Sequence, residues 1–100
     1  MKYIKEYNEF NKLVELSEYL QEIFDEFNIP YNENITENIG WFIFSNTICI
    51  NMGNQDRIGL ATKYYDIKNR LEERREYLEG RLGGGISIEY WEDEIEISID

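Results

Sequence analysis

The chain has 100 residues, 42% of them hydrophobic and 15% aromatic, enough apolar material to bury well over half of the unfolded surface in one core. A disordered tail is excluded, and a single α+β domain spanning 1–100 is expected. Asp and Glu number 21 against 10 Lys and Arg, a formal charge of -11; that field repels nucleic acid and anionic lipid and steers the chain toward cationic partners.

The opening Met-Lys-Tyr-Ile-Lys-Glu-Tyr carries charges every few residues and no apolar stretch of a secretory signal, and no run of 18 apolar residues follows. A cytoplasmic protein without membrane association is expected. From Asn8 to Asn28 the residues Phe10, Leu13, Leu16, Leu20, Ile23, Phe24 and Phe27 recur at three and four, which predicts a helix with one apolar side. Asn8 suits its N-cap and Ile29-Pro30 its stop. Tyr3 and Tyr7 continue the spacing, so an earlier start is also consistent. Glu15, Glu18, Glu22, Asp25 and Glu26 fall on the opposite side of this helix, an acid row with no Lys or Arg spaced to make i,i+4 pairs. A polar stretch, 31–38, follows.

Gly40 opens Trp41-Phe42-Ile43-Phe44, and Ile48-Cys49-Ile50-Asn51-Met52 comes after Ser45-Asn46-Thr47, which predicts a hairpin. A turn on Asn46-Thr47 pairs Ile43 with Ile50 and Trp41 with Met52, leaving Phe42, Phe44 and Cys49 on the other face. With both faces apolar, these strands are expected to be central or covered from both sides. Cys49 is the sole cysteine, which excludes an intramolecular disulfide; between two isoleucines it reads as a buried small hydrophobe.

Leu60, Tyr64, Ile67, Leu71 and Leu78 lie within about 60° on a wheel of 100° per residue, predicting a second helix to about Glu79 with Gly80 as its stop. Lys63, Arg70 and Arg74 flank one side of its stripe and Lys68 and Arg75 the other. From there they can lay their stems on the core edge and pair with acids of the first helix or the sheet, a better fit than a phosphate-binding stripe. Tyr65, Tyr77 and Trp91 lie off the stripes as possible interface anchors. Gly83-Gly84-Gly85 forms a joint before the last strands.

Ile86, Ile88 and Tyr90, then Ile95, Ile97 and Ile99, alternate with polar residues. A turn on Glu92-Asp93 sets every isoleucine opposite an inward residue. The order αββαββ predicts a two-layer sandwich, a four-stranded antiparallel sheet packed against two helices. The same register sets Glu89 across from Glu96, with Glu94 beside Trp91, Glu92 and Asp93 at the tip, and Asp100 at the end. Like charges placed opposite one another cost stability, about 1 kcal/mol at 5 Å in water's dielectric. Such a rib either guards an edge against aggregation or awaits a basic groove. Glu92-Asp93-Glu94 lacks the spacing and glycine of a calcium loop.

With no His, no paired Cys and no phosphate-cradling loop, the chain is expected to be neither an enzyme nor a holder of a metal or cofactor. In size and charge it resembles the short acidic anti-restriction and anti-CRISPR proteins of phages and mobile elements, a likeness that no motif carries. That likeness implies an inhibitor that occupies the basic nucleic-acid channel of a nuclease or effector with carboxylates in place of phosphates. An immunity or antitoxin protein against a basic toxin fits the same charges, and a homodimer through Phe42 and Phe44 is a third reading.

Overall fold

The computed structural model describes residues 2–32, 39–53 and 57–100, with side chains described for 11–32, 39–53 and 62–100. The elements are α1 (Lys2–Glu26), β1 (Gly40–Phe44), β2 (Thr47–Asn51), α2 (Arg57–Leu82), β3 (Ile86–Tyr90) and β4 (Glu94–Ile99), in the expected αββαββ order. Helix α1 begins at Lys2, so Asn8 lies inside it and is not its cap. The side chains of Tyr3, Tyr7, Phe10 and Leu60 lie outside the described set. Leu13, Leu16, Leu20, Ile23 and Phe24 are buried.

Helix α1 ends before Pro30 through its backbone. Asn28 takes a left-handed φ of 55°, its N–H donates to Asp25 O (3.3 Å), and the Ile29 N–H donates to Phe24 O (2.8 Å). This is a Schellman ending with asparagine in the position that glycine usually fills. Phe24 and Ile29 close it by packing into the same core.

Strands β1 and β2 turn on Ser45 and Asn46, both at positive φ (52° and 59°), with Phe44 and Thr47 as the last pair. The expected turn on Asn46-Thr47 is therefore corrected by one position. A type I′ turn needs positive φ at both central residues, which a β-branched threonine resists. Trp41 consequently pairs with Ile50 and Ile43 with Ile48. The slip is two residues, so each side chain keeps its expected face.

Helix α2 runs through Gly80 to Leu82, which corrects its expected stop. A glycine inside a helix costs about 1 kcal/mol, whereas burying a leucine gains about 2 kcal/mol, and Leu82 is buried. The chain leaves the helix at Gly83 (φ 74°), where the Gly83 and Gly84 N–H groups both reach Glu79 O.

The second hairpin has the expected register: Ile86 opposite Ile99, Ile88 opposite Ile97, Glu89 opposite Glu96 and Tyr90 opposite Ile95. Strand order is β1-β2-β4-β3, with the hairpins joined by antiparallel pairing of β2 with β4. Ile48, Ile50, Ile95 and Ile97 on the inner strands are fully buried against Leu16, Leu20, Ile67, Leu71 and Leu78 of the helices. Both helices therefore lie on the isoleucine face. Strand β1 is an edge strand and Phe44 is 66% exposed, so the expectation that β1 is central or covered on both sides holds for Phe42, which is buried, and fails for Phe44.

Candidate functional site

The face of the sheet opposite the isoleucines is built by the alternate residues of all four strands, with Phe42 and Cys49 buried on its β1–β2 part and Glu89 exposed on its β3–β4 part. Its rows follow from the pairing: Gly40, Asn51 and Glu94; Phe42, Cys49, Glu96 and Glu89; Phe44, Thr47, Ser98 and Ser87. Trp91 joins the first row by donating its N–H to Glu94 O (2.8 Å). Asp100 continues the alternation beyond Ser98, and the Ser87 hydroxyl donates to its carboxylate. Aromatic side chains thus occupy the β1 side of this face and carboxylates the β3–β4 side.

The distribution of counter-charge separates this face from the rest of the molecule. Arg70 pairs with Glu26 of α1 at 2.9 Å and Arg74 with Glu22 at 3.0 Å. Arg70 also approaches Glu73, and Arg75 approaches Glu72 and Glu79. Arg70, Arg74 and Arg75 of α2 therefore pair with helix acids from the seam positions expected for them, while Lys68 lies over the Tyr90 ring. Among the described residues no ion pair reaches Glu89, Glu92, Asp93, Glu94, Glu96 or Asp100.

Glu94 and Glu96 flank Cys49, and one donor atom from each of the three lies within 4.8 Å of the others. Burial is the main reason that the Cys49 thiol is pushed up to about 12, with the charges of Glu94 and Glu96 adding to it. Desolvation likewise raises Glu94, reinforced by Glu96 and Asp93 and opposed by its hydrogen bond with Cys49. A thiol this resistant to ionisation is a poor nucleophile. These three residues are the grouping among the described ones with donor atoms close enough for a metal ion, and their thiol would first have to lose its proton.

The twelve acidic and aromatic residues singled out from the sequence do not form one surface. Glu89, Trp91, Glu92, Asp93, Glu94, Glu96 and Asp100 belong to the β3–β4 part of this face and to its turn. Glu15, Glu18, Glu22, Asp25 and Glu26 project from α1 on the other side of the sheet, where Glu22 and Glu26 are ion-paired, Glu15 accepts a hydrogen bond from Tyr19 and Asp25 one from Gln21. Sequence reasoning left Cys49 and Thr47 out of the site because their place beside Glu96 and Ser98 depends on β2 lying against β4. It left out Ser87 and Ser98, whose pairing belongs to the expected register of the last hairpin, because as small neutral residues they carry no charge signal.

Trp91, Tyr65 and Tyr77 are 53%, 61% and 47% exposed. Tyr77 is engaged locally, between the guanidiniums of Arg74 and Arg81 and the ring of Tyr19. Trp91 stands beside the carboxylates. Compared with known proteins, the chain matches no family model, no curated protein and no solved structure. Among the described residues no helix is long and apolar enough to cross a membrane.

Proposed function

We propose that this chain is an acidic inhibitor that presents the carboxylates of the β3–β4 hairpin to a basic surface of a nucleic-acid-processing protein, a nuclease or a restriction or CRISPR effector. The observation that carries this reading is the contrast in counter-charge: the arginines of α2 pair with helix acids, while the β3–β4 carboxylates have no cation among the described residues. Glu89 and Glu96 oppose each other in the ladder, a repulsion of about 1 kcal/mol in high dielectric that a partner's Lys or Arg would turn into attraction. Trp91, half-exposed beside these carboxylates, is the kind of large aromatic that carries a disproportionate share of binding energy in an interface. Carboxylates arrayed along strands would displace the counterions and phosphates of a basic channel, giving association that is fast and sensitive to salt.

The test compares the natural chain with Glu89→Lys/Glu96→Lys and with a control of equal charge change on the outer side of α2, Glu73→Lys/Glu76→Lys. Each is used to capture proteins from host lysate at low and at high salt, and each captured enzyme is assayed for nucleic-acid binding with the chain as competitor. Capture of a basic nucleic-acid-processing enzyme, loss of its nucleic-acid binding, and abolition of both effects in the sheet variant alone are the expected results. Equal binding by the sheet variant would move the contact to α1.

A further inference from the structure

The outer edge of β3 is half closed by the protein itself. Gly85 O accepts from the Asp100 N–H, and the Trp91 N–H donates to Glu94 O. The backbone groups of odd-numbered residues therefore point toward β4, and those of Ile86, Ile88 and Tyr90 point away from the sheet. At Ile86 helix α2 plays the part of a neighbouring strand: Glu79 accepts from its N–H at 3.1 Å and Arg75 donates to its carbonyl at 2.8 Å. On the opposite edge the chain does the same for Trp41, whose N–H reaches Pro30 O (3.0 Å) and whose carbonyl accepts from the Asn32 N–H (2.9 Å). Among the described residues nothing does so at Ile88 or Tyr90. Their two N–H and two carbonyl groups form a short template of the kind to which extended chains add.

The chemistry around this template selects its occupant. In an added antiparallel strand, the residues opposite Ile88 and Tyr90 exchange backbone hydrogen bonds with them, and their side chains lie on the helix side. The residue between them lies opposite Glu89 in a non-hydrogen-bonded pair, the closer kind, on the face opposite the isoleucines. It extends the row of Glu96 and Glu89, so a Lys or Arg there meets carboxylates that otherwise face only each other. A second copy of this chain would bring Glu89 toward another carboxylate-bearing β3 and a second charge of -11.

We propose that the β3 edge from Ile88 to Tyr90 docks an extended segment of the basic partner as a fifth strand, with a Lys or Arg beside Glu89. The proposal rests on the basic-partner reading above and adds the mode of contact: backbone pairing at an edge as well as charge on a face.

The experiment uses the full chain and a seven-residue, end-capped peptide of alternating Val and Lys, followed by amide hydrogen exchange and chemical-shift titration. Exchange at the Ile88 and Tyr90 amides is expected to slow at least tenfold on saturation. N-methylation of the Val residues, which face the edge, is expected to weaken binding at least tenfold, N-methylation of the Lys residues much less, and Glu89→Lys is expected to abolish protection. If both methylated peptides bind alike, or if spermine and the peptide shift the face bearing Glu89 and Glu96 while the Ile88 and Tyr90 amides exchange as before, the edge proposal is overturned and the basic-partner reading survives. Equal protection by a Val and Thr peptide would overturn the requirement for a basic occupant. Concentration-dependent protection without peptide, with a dimer in sedimentation, would assign the edge to self-association, and no peptide binding at all would overturn the proposal outright.

Discussion

Cys49 and Glu94 form a coupled pair whose properties follow from where the sheet places them. Burial is the main reason the thiol is pushed up to about 12, and the charges of Glu94 and Glu96 add to it. At pH 8 the thiolate fraction is then on the order of one in ten thousand, against roughly a quarter for an ordinary thiol. Alkylation by iodoacetamide should accordingly be on the order of a thousandfold slower in the folded chain than in denaturant, and Glu94→Gln should speed the folded reaction by removing a nearby charge. Glu94 itself is raised by desolvation first. A carboxyl whose folded pKa exceeds its unfolded one stabilises the fold below the unfolded pKa, and this contribution is lost as pH rises through the folded value. Glu94→Gln should therefore raise the melting temperature at pH 7 and make no difference near pH 4, as thermal unfolding across that range would reveal. The burial of Cys49 was legible in Ile48-Cys49-Ile50. Its carboxylate neighbours were not, because they belong to a strand 45 or more positions away whose adjacency is a matter of sheet order.

Hairpins and helix ends show which local signals are strong. The β3–β4 register was readable because each isoleucine is wasted if the strand slips by one, and a turn at Glu92-Asp93 suits the two-residue loop. The β1–β2 turn was misplaced by one position because Asn46 fits either of two adjacent turns, and the backbone cost of Thr47 decides between them. The end of α2 was misplaced for a different reason: Gly80 and Gly83 look alike in sequence, and the burial of Leu82 distinguishes them. The two glycines should then respond oppositely to alanine. A Cβ at Gly80 meets nothing within 4 Å, so Gly80→Ala should stabilise the chain by about 1 kcal/mol through helix propensity. Gly83→Ala also meets no neighbour, yet it should destabilise by about 1 kcal/mol because its φ of 74° is left-handed. Urea titration of the two variants would reveal the opposite signs.

The charge of -11 acts on the protein as one field. Its ion pairs are largely solvent-exposed, with pair members such as Glu22 and Glu73 about 70% accessible, so each contributes at most about 1 kcal/mol. Repulsion among the excess carboxylates outweighs them. Raising NaCl from about 10 mM to about 150 mM shortens the screening length from about 30 Å to about 8 Å and should raise the melting temperature, whereas a molecule held together by its ion pairs would melt lower. The same salt should weaken capture of a basic partner, separating the two roles of the charge in one buffer series. Composition and periodicity alone determined the α+β class, the two apolar helix stripes, the αββαββ order and the acidity of the last hairpin, since these depend on residues a few positions apart in the chain. Only the tertiary structure decided that β2 and β4 lie at the centre, that α2 pairs with Glu22 and Glu26 of α1 and, among the described residues, with no acid of the sheet, and that the two acid rows face opposite ways. Those outcomes depend on which apolar faces bury against which, and isoleucine ladders on two hairpins are chemically interchangeable until the helices cover one side of them.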